Sequence, residues 1–203
     1  MSIQSDIHWH EGLFLQPHHL QQLQRRTAAR IAENRRLLTP YPYGMVESRF
    51  SAEELANKRI LFDSLHAVMP SGVQVCVPEN TDLPSLSFGQ EFDAGAGSLT
   101  VYLGVPLRSA QGANAIEDPV QSDWRVKRMY RVEDQKVVDE NTGENEQHVR
   151  IRKVNARLLL EGQDMTDMEV IPILRVVRGV SEEEAGVPRV DPNFMPPCLL
   201  VRG

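Results

Sequence analysis

The sequence predicts a mainly β protein, an antiparallel β-sandwich of about seven to nine strands preceded by one long N-terminal helix. Three observations carry this. Residues 17–38 hold the one sustained run of helical periodicity. Everything after Pro40 breaks into short apolar runs bounded by Gly, Pro, Asn and Asp. The regular helix–strand alternation that a doubly wound α/β enzyme needs is missing.

The helix is read first. Pro17 suits the first helical position, where a missing N–H costs nothing. Leu20, Leu23, Thr27, Ile31, Asn34 and Leu38 follow at spacings of three or four, one stripe of a 3.6-residue helix. Thr39-Pro40 ends it, because the residue before a proline is pushed out of the α region, so the helical unit is 17–39. At about 1.5 Å per residue it is a rod of roughly 33 Å. Arg25, Arg26, Arg30, Arg35 and Arg36 are spread around it, and the expected arrangement is a solvated basic face with the apolar stripe underneath.

Tyr41-Pro42-Tyr43-Gly44 is a turn, and Met45 to Phe50 a first strand. Ser51-x-x-Glu54 is a capping-box pattern before a very short helix. Arg59 to Val68 and Val73 to Val77 read as a hairpin around Pro70-Ser71-Gly72. Residues 79–97 are Pro-, Gly-, Asp- and Ser-rich, with a brief strand near Leu86–Phe88. Leu99 to Leu107 is the strongest core strand, and residues 108–123 are a long loop. Met129 to Val138 is a strand with a turn at Asp134-Gln135. A second turn at 141–145 leads into another strand, begun by Val149, Ile151 and Lys153, and the chain turns apolar through Leu160. Gly162 to Asp167 turns the chain, and Glu169 to Val177 returns as a strand. Ser181-Glu182-Glu183-Glu184 is too acidic for a core, and residues 180–203 are an irregular exit. The expected sandwich is 41–179, with Val101, Leu103, Val105, Ile151, Leu158, Ile171 and Leu174 buried.

Composition narrows the function. The apolar fraction of 41% belongs to a folded chain. There is no apolar run of membrane-spanning length and no basic-flanked signal segment, so no membrane insertion is expected. Cys76 and Cys198 lie far apart and read as two free thiols. The net charge of −6 is uneven: residues 17–38 hold five arginines against Glu33, while residues 61–125 hold eight acids against Arg108 and Arg125. That asymmetry suits docking between unlike surfaces and argues against a dedicated nucleic-acid binder.

Chemistry-bearing patterns are few. His8, His10, His18 and His19 with Glu11 invite a metal reading, but no HExxH spacing occurs, and adjacent His18 and His19 diverge by about 100° on a helix. Glu117-Asp118 sits in a loop without a visible partner. No phosphate-binding Gly loop and no GxSxG elbow is present. Cys76 lies in an alternating strand and reads as packing. The expectation is no catalytic site, no metal and no cofactor. Residues 1–16 stand apart. Ile7, Trp9, Leu13, Phe14 and Leu15 crowd nine positions with no period that would bury them on one face. From the residues alone, Trp9 and Phe14 are either a plug for this domain or anchors for another.

The stretch Trp9-x-Glu11-Gly12-Leu13-Phe14-Leu15-x-Pro17-x-His19-Leu20-Gln21 resembles the opening signature of the TssK family, the baseplate subunit of the bacterial type VI secretion system. Leu13 stands where Met is usual, Leu20 where Phe is usual, and His18 replaces a common Gln. Pro42-Tyr43-Gly44, Met69-Pro70-Ser71-Gly72, Tyr102-Leu103-Gly104-Val105-Pro106 and Phe194-Met195-Pro196-Pro197-Cys198-Leu199 look like further landmarks in order. The resemblance implies the β-sandwich shoulder of a longer, cytoplasmic, non-enzymatic adaptor at the inner face of the inner membrane. Its shoulder would hold the wedge proteins TssF and TssG. Its neck would make a homotrimer, and its head would reach TssL and TssM. The partner-binding residues it implies are Trp9, Glu11, Gly12, Leu13, Phe14, Pro17 and His19, in an N-terminal docking segment, residues 1–16, that runs into the helix. The alternative is a stand-alone sandwich module, similar to a phage receptor-binding shoulder, with another partner; a metal-dependent enzyme stands third.

Overall fold

The computed structural model describes residues 5–95, 97–117, 126–179 and 186–199. Helix α1 spans Pro17–Leu38 and runs into strand β1, Gly44–Phe50. Helix α2, Ala52–Ala56, is closed at its start as the capping pattern predicts, with the Ser51 hydroxyl accepting from the Glu54 N–H at 3.3 Å. The expected strand from Arg59 breaks at Leu61 into β2, Arg59–Ile60, and β3, Phe62–Val68. Strand β4 is Gln74–Val77, and β3 and β4 form the predicted hairpin. Strand β5, Leu86–Ser87, pairs with β2.

Residues 79–97 also contain a helix that the sequence reading missed, α3, Gly89–Asp93. It is too short to show a period. It forms because Phe88 and Phe92 both turn into the core, edge to face at 5.8 Å.

Strand β6, Ser98–Pro106, is the centre of the molecule. Strand β7, Ala115–Ile116, lies in what was expected to be loop and pairs with β8, Tyr130–Val137, in the one parallel pairing between described strands. Strand β9 is Gln147–Val154, β10 is Arg157–Leu160, and β11 is Met168–Arg178. Strand β12, Pro188–Val190, gives the expected irregular exit a short strand against β11. The sheets run β1-β3-β4, β10-β6-β11-β12, β2-β5 and β7-β8-β9. The β-sandwich preceded by a helix is the architecture observed, and one apolar core joins the first two sheets.

Strand β6 is buried on both faces rather than one. Gly104 shows why: a Cβ there would sit 2.8 Å from Met168 Cε and 2.9 Å from Leu159 Cδ1, so side chains of both neighbouring strands close over it. In β11, Pro172 coincides with a register break against β6, where a residue lacking an N–H is tolerated.

Of the seven residues expected in the core, Val101, Leu103, Val105, Leu158, Ile171 and Leu174 are buried. Ile151 is not; it is only partly covered. Strands β8 and β9 continue as one ladder past the core, and Ile151 sits out on that arm opposite Glu133. The turn expected at Asp134-Gln135 is absent for the same reason: both residues pair in register with Arg150 and Val149. Part of the 108–123 loop and the acidic 181–184 run lie outside the described residues.

Candidate functional site

Helix α1 touches the sandwich at separate points along its length. Gln24 accepts from Arg152 at 3.1 Å. Ala32, 6% exposed, packs so closely on Gly72 that a Cβ there would stand 2.6 Å from its own. Arg36 donates to the Pro70 carbonyl at 2.7 Å. Gly72 can take this approach because it has no side chain and sits at φ +92°. The same turn is tied from below, with the Ser71 hydroxyl donating to Glu169 at 2.6 Å. Met69-Pro70-Ser71-Gly72 is therefore the node where α1, the β3–β4 hairpin and β11 meet.

This docking overturns the expected orientation of the helix. The apolar stripe is not underneath. Leu20, Leu23, Ile31 and Leu38 are 47%, 45%, 50% and 83% exposed. Arg25, Arg26, Ala29 and Ala32 lie toward the body instead. Burial and nearby Arg108 hold the Arg25 guanidinium below its ordinary value. Arg26 pairs with Asp6 of the N-terminal segment.

That segment folds back beside the start of α1. The Trp9 ring lies 6.2 Å from the His19 ring. His19 Nδ1 in turn accepts from the Gln16 backbone N–H at 3.1 Å, which occupies one of the N–H groups at the helix start. Residues 10–13 form a turn in which the Leu13 N–H reaches the His10 carbonyl at 3.2 Å. Gly12 stands there at φ +80°, the value the third position of a type II turn demands. Glu11 and Pro17 face solvent, and Leu13 is half-buried. Trp9 is 52% exposed and Phe14 80%. The seven residues singled out from the sequence are thus brought together around the start of α1. What the reading missed is that the stripe from Leu20 to Leu38 continues their apolar surface. Its spacing was visible, but its direction was not.

No metal-binding arrangement of three or more His, Cys, Asp or Glu occurs among the described residues. His8 and His10 pair with each other, ring centroids 5.6 Å apart. Burial, helped by Glu79, pushes the Cys76 thiol up and away from the reactive thiolate. Asp118 of the Glu117-Asp118 pair lies outside the described residues. No described helix is long and apolar enough to cross a membrane.

These features define a helix-led β-sandwich domain that carries large exposed apolar residues on its N-terminal segment and along the outer side of its first helix. The family described as bacterial type VI secretion, VC_A0110, EvfL, ImpJ, VasE, matches residues 19–203, and the chain belongs to that family. It is also similar to the type VI secretion system baseplate component TssK1 of Pseudomonas aeruginosa, 24% identical over 201 residues, which is 98% of this chain and 43% of that protein. The chain therefore spans less than half the length of that relative. Two solved structures share the fold. One is the TssK-TssF-TssG baseplate subcomplex seen by cryo-electron microscopy, with a TM-score of 0.84, 24% identity, and coverage of 97% of this chain and 62% of the other. The other is a crystal structure of TssK, with a TM-score of 0.79, 19% identity, and coverage of 96% and 42%.

Proposed function

We propose that this chain is the shoulder of a TssK-type adaptor and that it binds the baseplate wedge, TssF and TssG, through its N-terminal segment. The observation that carries the reading is the exposure of Trp9 and Phe14 beside the helix start. A terminus so apolar needs a surface to cover, and large aromatics lead among interface anchors. Family membership supports it, as does a relative of the same fold solved together with TssF and TssG. In this reading the role is structural and non-enzymatic, and the protein works in the cytoplasm at the inner face of the inner membrane. Homotrimer formation and contact with TssL and TssM belong to the longer protein, through regions that follow the shoulder.

The test is Trp9→Ala together with deletion of residues 1–16, assayed against purified TssF–TssG. Both variants should melt as cooperatively as the parent. Losing one aromatic anchor should weaken wedge binding by about thirtyfold, the equivalent of about 2 kcal/mol. If Trp9→Ala instead lowers the melting temperature by many degrees while the folded fraction binds the wedge normally, Trp9 is a plug of its own domain and the reading fails.

A further inference from the structure

The outer face of α1 is more regular than an exposed apolar patch needs to be. Leu20, Leu23, Thr27, Ile31, Asn34 and Leu38 advance by three, four, four, three and four residues. Positions eleven apart therefore repeat: Leu20 with Ile31, Leu23 with Asn34, Thr27 with Leu38. An eleven-residue repeat stays almost in line with the helix axis, so the seam is nearly straight over about 27 Å. At about 100° per residue it points roughly 170° away from the Arg25, Ala29, Ala32 and Arg36 side, and on the Arg35 border the sandwich reaches α1 as well, where Gln24 accepts from Arg152 at 3.1 Å. Thr27 is no interruption, because its hydroxyl is turned back onto the Leu23 carbonyl at 3.0 Å, which leaves its methyl for the seam.

The seam has charged borders of one sign. Arg30 and Arg35 lie about 60–80° to either side of its centre. Among the described residues neither has an ion-pair partner, whereas Arg26 is taken by Asp6 and Arg36 by the Pro70 carbonyl. On the Arg30 side the seam is bordered near its start by the N-terminal segment, whose Trp9 and Asp6 reach His19 and Arg26.

We infer that the outer face of α1 is a docking seam for an amphipathic helix of a partner protein whose apolar stripe is flanked by Asp and Glu. A straight seam with large residues at three- and four-residue spacings accepts a second helix by side-chain interdigitation. Unpaired arginines on both borders select carboxylates opposite them. A second copy of this chain fits worse, since it would bring Arg30 and Arg35 against their own counterparts. A membrane surface also fits worse, since α1 has no Trp or Phe and Asn34 interrupts its narrow apolar face. The inference stands independently of which protein makes the wedge.

The test uses two synthetic peptides as long as α1, both with leucines at the same spacing, one bordered by Glu and one by Lys. Their binding to the whole chain is followed by fluorescence anisotropy at low and high salt. The Glu-bordered peptide should bind at least about tenfold more tightly, with the advantage shrinking in salt. Arg30→Glu with Arg35→Glu should reverse the preference. Leu23→Glu with Ile31→Glu should abolish binding of both while the melt stays that of the parent. Binding of neither peptide, or equal binding of both, overturns the inference. So does a parent dimer that Leu23→Glu with Ile31→Glu dissolves, which would assign the seam to a second copy. Capture of the chain by phosphatidylglycerol vesicles in preference to the Glu-bordered peptide would assign it to lipid and overturn it equally.

Discussion

Gly44 sits at φ +131°, and a Cβ there would stand 2.4 Å from the Pro197 carbonyl oxygen. Backbone cannot swing aside as a side-chain tip can, so two of the landmark motifs, 42–44 and 194–199, are one contact. Gly44→Ala should therefore cost about 1–3 kcal/mol, the range for a residue forced into a sparsely populated backbone region. Amide exchange should show the Leu199 N–H, which is bonded to the Met45 carbonyl at 2.8 Å, losing protection first. In the core, Leu103→Ala should cost about 2–5 kcal/mol in a denaturant titration, because β6 is covered on both faces and cannot collapse around the void. Lys153 bonds Asp82 at 2.8 Å and pairs with Glu133 at 3.0 Å. The bond to Lys153 lowers the Asp82 pKa, and the bonds to Asp82 and then Glu133 raise that of Lys153. The Asp82 contribution is therefore present above its ordinary value of about 4 and lost as pH falls through the lowered one. The Lys153 contribution is present below about 10.4 and lost as pH rises through the raised one. Asp82 is largely exposed although Lys153 is half-buried, so Asp82→Asn should change stability by about 0–1 kcal/mol at neutral pH. Melts taken between neutral and acid pH should show a shallower acid loss in the variant.

At the scale of the element, α1 has two apolar aspects that mutation can tell apart. Ala32→Leu should destabilise by about 1–3 kcal/mol, since the added atoms meet the Gly72 backbone. Leu23→Glu, on the opposite side, should leave the melting temperature within a degree or so of the parent, as surface changes usually do. A helix whose larger apolar stripe faces water was not legible in the sequence. Periodicity locates a stripe but not what it faces, and here Ala32 on Gly72, Arg36 on the Pro70 carbonyl and Gln24 with Arg152 make the contact. The strands read well wherever alternation met turn residues, as at 45–50, 73–77 and 169–177. They failed where length was the issue. Helix α3 and strands β7 and β12 are too short for any period to show, and β8 and β9 outrun the core, so Ile151 alternates correctly and still reaches solvent. The apolar crowding of Ile7, Trp9, Leu13, Phe14 and Leu15 was legible because nothing in its order suits a helix or a strand, whereas Glu11, Gly12, Pro17 and His19 were singled out as partner-binding residues by the family signature alone. His19 as the acceptor that closes the helix start was not legible, because that role appears only once the chain folds back.

For the whole molecule, the sandwich was legible because many short alternating runs in one chain have few other ways to bury themselves, and the family signature pointed the same way from its own residues. We expect the 203-residue chain to sediment as a monomer of 22.9 kDa or a weak oligomer at low micromolar concentration, on the proposal that trimer contacts lie in regions of the longer relatives beyond this shoulder. A tight trimer would place assembly in the shoulder itself. The bridge between Met45 and Cys198 has a mechanical consequence. Residues 197–199 lie parallel to β1 and are held by the Met45 N–H on the Pro197 carbonyl at 2.7 Å and the Leu199 N–H on the Met45 carbonyl. Tension applied between Tyr43 and Leu199 loads these two bonds in shear, so the stretch where the chain enters the sandwich and the stretch where it leaves are clamped directly to each other.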